Sequence, residues 1–204
     1  TAEDLLILVL FAAPLLAAIL LGSTLYNAWR HFFFTYVPLL LIALVGIQHI
    51  VYLIKNKIRP AAARLGTIAL AFILGVSMLR TGFWMASNHP YQFVYFNNLV
   101  NAFGGRQGFD RDYWGLSIRQ GLEYILSRDD RDSITYFVDG GTFSHAQILT
   151  PDQRQRLELL DSSEAEPDYY ISIYRNLEKT YSATPIYEIV VDGSPILTIY
   201  QPSK

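Results

Sequence analysis

Four basic side chains stand where they could do chemistry. Arg30 and His31 are adjacent, in the short interval 23–33 between two apolar runs. Arg80 lies inside a third apolar run, and His89 follows that run directly, just before Pro90. A guanidinium offers paired donors that match phosphate oxygens, and an imidazole can donate or accept near neutral pH. Together they suit the phosphate or pyrophosphate of a lipid-linked ligand. Each also has a plainer reading. Arg30 and His31 can anchor a helix end at lipid headgroups, and Arg80 can extend its stem toward the same layer. An arginine within a membrane span points to function because it is costly unless paired or hydrated. His89 can contact an acceptor or serve only the extended junction that a following proline imposes.

Other chemistries are excluded or unsupported. Cysteine is absent, so neither disulfides nor thiolates contribute. The four histidines, at 31, 49, 89 and 145, show no metal-binding spacing. "GGTFSH" reads as a strand-to-helix turn, because it lacks the lysine and spacing of a phosphate loop. No cofactor is expected. Net charge is −2, so no nucleic-acid partner is expected either. Asp110 and Asp112 flank Arg111; one could be a catalytic carboxylate, but a loop ion pair with a helix cap accounts for both. Tyr91, Tyr95 and Phe96 share one side of a possible short helix, as a sugar or lipid platform or as packing. Asn97 and Asn98 read as capping or turn residues.

The elements that must hold these residues fall into two halves. Apolar residues make up 51% of 204, and they crowd into the first 86 positions. Runs 5–22, 34–54 and 65–86 are each long enough to span a hydrocarbon core, which takes roughly 20 helical residues. Pro14 can kink the first. Gly46, Gln48, His49, Gly66, Gly75 and Ser77 suggest helix packing within a larger bundle. The first run is no signal peptide, since Glu3 and Asp4 precede it where positive charge is needed. A chain opening at Thr1 fits a segment of a longer protein. Lys55, Lys57, Arg59 and Arg64 place segment 55–64 in the cytoplasm by the positive-inside rule. Interval 23–33 and everything after residue 87 then lie outside. Trp29, Phe32, Phe33, Phe34, Tyr36, Phe83 and Trp84 form an aromatic belt at the outer interface.

Residues 88–204 read as a small α/β domain with a mixed sheet. "YWGLSIRQGLEYILSR" carries Leu116, Ile118, Leu122, Ile125 and Leu126 at helical spacing, with Asp112 as cap. "SITYFVDGG" and "DYYISIYR" are strands, and the helix between them begins at Thr150-Pro151, which favours a right-handed parallel crossover. "PIYEIVVDGSPILTIYQ" is a hairpin turning at Asp192-Gly193. The fold class expected is therefore three transmembrane helices over 1–87 plus an extracytoplasmic α/β domain over 88–204.

"LYNAWRHFFFTYVPLLLIA", "NHPYQFVYFNNLVNAFGG", "FDRDYWGLSIRQGLEYI" and the closing "DYYISIYR … PIYEIVVDGSPILTIYQ" carry a resemblance. From about residue 23 onward the chain resembles the C-terminal region of bacterial membrane glycosyltransferases similar to the protein O-mannosyltransferases (glycosyltransferase family 39, GT-C superfamily). Gly104 and Gly105 depart from the pattern, being slightly displaced from the glycine pair expected after "FNNLV". The resemblance implies transfer of a hexose from a polyprenyl-phosphate sugar to an acceptor on the outer side of the bacterial plasma (inner) membrane. Partners would be that donor, the lipid bilayer and the rest of the transmembrane bundle. The family's acidic catalytic motif sits in its first outer loop, which this chain does not contain, so no catalytic base is assigned. Arg30, His31, Arg80 and His89 are the donor-phosphate or substrate contacts expected here. The alternative is a non-enzymatic, membrane-anchored binding or assembly domain.

Overall fold

The computed structural model describes residues 2–25, 30–97, 100, 108–139, 145–163, 166–175 and 181–202, with the backbone alone for Arg30 and His145. Trp29, Asn98, Gly104, Gly105 and residues 140–144 of the glycine-rich turn lie outside the described residues. The chain divides into two compact units, Thr1–Leu79 and Arg80–Lys204.

The first unit is helical. Helix α1 spans Ala2–Leu20 and buries none of its residues. A 3-10 turn, Arg30–Thr35, leads into α2, Tyr36–Lys57. Thr35 is buried and its hydroxyl donates to the Phe32 carbonyl at 2.7 Å, which closes that turn. Helix α3 runs Pro60–Ser87 and passes through the boundary between the units. Only Ile58 and Arg59 separate α2 from α3, so Lys55, Lys57 and Arg64 sit on helix ends beside a tight connection. Proline suits the first position of α3, where its missing N–H costs nothing. A Cβ on Gly66 would meet Ile54 at 3.3 Å, so the small residue lets α2 and α3 approach closely. An apolar groove of about 590 Å³ lies between α1 and α2, lined by Val9, Ala13, Pro14, Phe34 and Val37. All three helices are long and apolar enough to cross a membrane, with mean hydropathy 2.3, 2.3 and 1.9 in chain order.

The second unit is built on a five-stranded mixed sheet. Its strands are β1 (Ile134–Asp139), β2 (Leu157–Leu159), β3 (Tyr169–Ser172), β4 (Thr184–Val191) and β5 (Ser194–Gln201), in spatial order β2-β1-β3-β5-β4. β1 is parallel to both β2 and β3, and β5 is antiparallel to β3 and β4. The hairpin turns where expected, with Asp192 at φ 49° and Gly193 at φ 72°. Both central residues at positive φ are what a tight two-residue hairpin needs.

Helix α4, Ile118–Arg128, supplies the core-covering face. Ile118, Leu122 and Ile125 are buried against the sheet, as their spacing predicts. A Cβ on Gly121 would lie 3.1 Å from Leu197 and 3.5 Å from Ile199, so glycine permits this close seat. Leu116 departs from expectation: it is 50% exposed, because the chain is still turning and the helix starts only at Ile118. Helix α5 also falls short. Thr150 and Gln153 form a reciprocal capping box with Pro151 at the first position, but the helix ends at Gln155. Leu157–Leu159 then joins the sheet as β2.

Candidate functional site

The four residues singled out above fall in both units. Arg30 opens the 3-10 turn before α2, and His31 follows it with an exposed side chain. Arg80 lies in α3 with an exposed side chain, at the start of the second unit. His89 is exposed just past α3, its Nδ1 2.7 Å from Gln92 Nε2. That contact engages one ring nitrogen with a neighbour on the same short segment. Arg80 and His89 are separated by the last turns of α3 and its exit.

The segment after His89 belongs to the domain core. Tyr91 and Val94 are buried in it. The Tyr91 hydroxyl donates to Gln120 Oε1 at 2.6 Å, and Gln120 Nε2 donates to the Tyr187 hydroxyl at 2.8 Å. Burial, then the nearby Asp112 charge, push the Tyr91 phenol up to about 12. Tyr91, Tyr95 and Phe96 do not form the shared side expected from their spacing. Tyr95 is exposed and packs edge-on against Trp84 at 4.9 Å, while Phe96 meets Phe109 at 5.5 Å. Trp84 in turn is half-buried against the core, and its indole N–H donates to Asp192 Oδ2 at 2.7 Å. One side of the indole therefore packs on the domain. Phe83, one residue earlier and about 100° around the helix, is 76% exposed.

The charged centre of the "FDRDYWG" motif is committed to architecture. The Arg111 and Asp112 amides donate to the carbonyls of Tyr174 and Ile173, both at 3.3 Å, which docks this segment beyond the end of β3. Arg111 lies 4.4 Å over the Tyr174 ring and donates to the Pro195 carbonyl at 2.8 Å. Asp112 is fully buried and accepts from the amides of Leu116 at 2.9 Å and Ser117 at 2.7 Å, and from the Ser117 hydroxyl. Burial raises its carboxyl pKa, and these donors oppose the rise without cancelling it. Gly115 at φ 66° completes the turn into α4. Asp112 was expected to cap this helix, but the N-cap position falls at Ser117, whose side chain makes no capping bond; Asp112 closes the loop ahead of the helix instead.

Two clusters escaped the sequence reading. At the N-terminal ends of β1 and β3, Arg131 bridges Asp129 at 2.6 Å and Asp168 at 2.8 Å. Asp168 also accepts from the Thr135 amide and hydroxyl at 3.0 and 2.9 Å, and Tyr169 donates to Asp129 at 3.0 Å. Hydrogen bonds from Arg131 hold the Asp129 carboxyl well below the usual carboxylate range. This clamp ties the two parallel strands at the end opposite to where such sheets bind ligands.

The second cluster crosses the sheet on the face away from α4. Register aligns Asp139 with Ser172, Ser172 with Thr198, and Thr198 with Glu188. Asp139, Ser172 and Thr198 are buried. The Thr198 hydroxyl donates to Glu188 at 3.2 Å, so Tyr174, 2.6 Å away, must donate to Thr198. Beside this row runs an aromatic one, Phe137, Tyr170 and Tyr200, with Tyr181 stacked on Tyr170 at 4.7 Å. Burial, and then the Asp139 charge, raise the Tyr181 phenol. Alternation within "VDGG", "ISI" and "LTI" places these polar residues on one face, but only the strand register joins them into a row.

Among the described residues, no group of three or more His, Asp or Glu is arranged to hold a metal ion. Comparison with protein-family models, with curated proteins and with solved structures finds no match.

Proposed function

We propose that the chain is the C-terminal part of a bacterial membrane glycosyltransferase similar to the protein O-mannosyltransferases. It would help move a hexose from a polyprenyl-phosphate sugar to an acceptor on the outer side of the plasma membrane. One combination carries this reading: three helices apolar enough to span a membrane lead directly into the "HPYQFVYFN" and "DYWG" motifs of a small α/β domain. Lys55, Lys57, Arg59 and Arg64 gather at the α2–α3 connection, which supports a cytoplasmic location for that end. The 3-10 turn and the α/β domain then lie outside.

In this reading Arg30 and His31 in one unit and Arg80 in the other are each expected to contact the donor's phosphate, and His89 to contact substrate. Guanidinium donors would neutralise the charge that develops as the phosphate leaves. The general base that takes the acceptor's proton is expected on another part of the full-length enzyme. A second reading, a non-enzymatic membrane-anchored binding or assembly domain, draws support from Arg111 and Asp112. The charged heart of the most recognisable motif is spent on folding.

The test is equilibrium binding of a polyprenyl-phosphate hexose to the full-length protein in nanodiscs, with Arg30→Ala, His31→Ala and Arg80→Ala. Losing a charge-assisted contact should weaken binding about tenfold or more. Unchanged affinity in all three variants removes the donor-phosphate assignment. A wild-type protein that binds no donor lipid favours the second reading.

A further inference from the structure

The polar row on the face away from α4 has two unlike halves. Thr198 accepts from Tyr174 and donates to Glu188, so its hydroxyl is used in both senses. Its register neighbour Ser172 is 0% exposed, and its Oγ has no hydrogen-bond partner. A buried hydroxyl left unpaired is costly, and alanine would occupy the same place without that cost. Among the described residues, then, no contact of the folded domain calls for a hydroxyl at 172. Asp139 stands beside it across the parallel pair and is 1% exposed, and the two do not bond each other.

Their place in the fold gives this pair a meaning. Asp139 ends β1 and Ser172 ends β3. Both are carboxyl ends of parallel strands, and β1 stands between β2 and β3. The chain leaving β1 goes on to β2 on one side, and the chain leaving β3 goes on to β4 at the opposite edge. The two connections also take opposite faces. Past β1, Ala146 and Leu149 enter the core, and the turn His145–Ile148 packs on α4. Past β3, Tyr174 turns the chain at φ 54°, and Tyr181 stacks on Tyr170 over the other face. Adjacent parallel strands whose connections part in this way leave a crevice outside their carboxyl ends, and open α/β sheets hold their ligands there. Asp139 and Ser172 lie at its floor.

The atoms of the pair select a ligand. A carboxylate only accepts, whereas a hydroxyl donates and accepts. Neighbouring strands are about 4.8 Å apart, so adjacent hydroxyls of one ligand can reach both groups. One would donate to Asp139 and the next would exchange a hydrogen bond with Ser172. The Asp139 charge, close enough to raise the Tyr181 phenol, disfavours an anion. Phe137, Tyr170 and Tyr200 set apolar rings beside these two groups. Many apolar contacts around a few placed polar ones are what a small-molecule site contains.

We propose that the carboxyl ends of β1 and β3 bind a neutral polyhydroxylated ligand of the sugar class, through adjacent hydroxyls held by Asp139 and Ser172. The ligand would enter past Tyr181, which is half-buried over this face. The site lies wholly within the α/β unit, apart from Arg30, His31, Arg80 and His89, and is compatible with either functional reading above.

The test places the 204-residue chain in phosphatidylcholine nanodiscs, which bring no diol of their own. D-Mannose, D-galactose and myo-inositol are titrated, and binding is read by saturation-transfer difference NMR. Cyclohexanol and ethanolamine are the single-hydroxyl and cationic controls. At least one of the three polyols should bind saturably at millimolar concentration, and Ser172→Ala and Asp139→Asn should each weaken it about tenfold. Ser172→Ala should also unfold at or above the wild-type midpoint, because it removes an unpaired hydroxyl. Saturable binding of none of the three to the wild type overturns the site, as does unchanged affinity in Ser172→Ala. A Ser172→Ala midpoint below the wild type's assigns the hydroxyl to the fold and overturns it too. Either control binding as tightly as the polyols overturns the ligand class.

Discussion

Leu79 and Leu122 are the same residue type on two helices of one chain, and they meet opposite surroundings. Leu79, near the unit boundary on α3, is 75% exposed, whereas Leu122 on α4 is wholly buried. The contrast extends to whole units. α1 buries no residue, α2 only Pro38 and α3 only Ala63, yet α4 buries five of its eleven. In the α/β unit apolar side chains are removed from water by one another, each fully buried one contributing about 2 kcal/mol. In the helical unit they face outward, so their stability depends on whatever surrounds the helices. Under the proposed reading, lipid and further helices provide that surrounding. In that reading one alphabet of apolar residues serves two solvents, and burial within the chain separates the unit that makes its own core from the unit that does not.

The largest test sets these two leucines against each other. Leu122→Ala should destabilise the α/β unit by about 3 kcal/mol, since it leaves a cavity under α4. Leu79→Ala should change stability by less than about 0.5 kcal/mol, because no packed core collapses there. Denaturant unfolding in bicelles, followed by the sheet's circular dichroism, separates the two. Equal losses would break the comparison.

Next in size is Asp112→Ala, which leaves the Leu116 and Ser117 amides and the Ser117 hydroxyl without their acceptor. A loss of about 2 kcal/mol is expected, read from the same unfolding midpoints. Asp112→Asn should recover part of it by restoring one acceptor oxygen. Trp84→Phe shrinks the ring and removes the donor to Asp192, for an expected cost of about 1.5 kcal/mol. That small loss should appear in the α/β unit's unfolding, because Trp84 packs with its core. A Trp84→Phe variant that leaves that unfolding untouched would assign the end of α3 to the helical unit instead.

The smallest effect concerns acid. Asp129 is lowered in the folded state by Arg131, so its contribution is present above the unfolded carboxylate value, about 4, and is lost as pH falls toward the folded value. Asp112 has the opposite sign, because its raised carboxyl binds its proton more readily when folded. Urea midpoints of the α/β unit should therefore decline below about pH 4 in the wild type and decline less in Asp129→Asn. An identical acid limb in both would dismiss the Arg131 clamp as a source of pH dependence.

Much of the α/β unit was legible because its signals are local. Pattern and turn chemistry give α4, β1, β3 and the Asp192-Gly193 hairpin. β2 was hidden, since Pro151 opens a helix and Leu157 and Leu160 continue a helical spacing; pairing with β1 overrides that local preference. Leu116 fits the helical pattern by spacing, but Gly115 keeps the chain turning at that point. The partners of Trp84 were hidden for another reason. Sequence gives its position along α3, but which way it faces depends on the hairpin turn more than a hundred residues later. The candidate site was less legible still. Arg30 and His31 fall in one unit and Arg80 and His89 in the other, and the Asp139–Ser172–Thr198–Glu188 row exists only through strand register.

The seat of Trp84 has a consequence for how the α/β unit is closed. The indole is held by the β4–β5 turn on one side and the Tyr95 ring on the other. Trp84 and Asp192 stand 108 positions apart in the chain and 2.7 Å apart in space. The loop of chain that this bond closes holds four of the five strands. One hydrogen bond is thus the clasp between the turn that opens the unit and the hairpin that ends it.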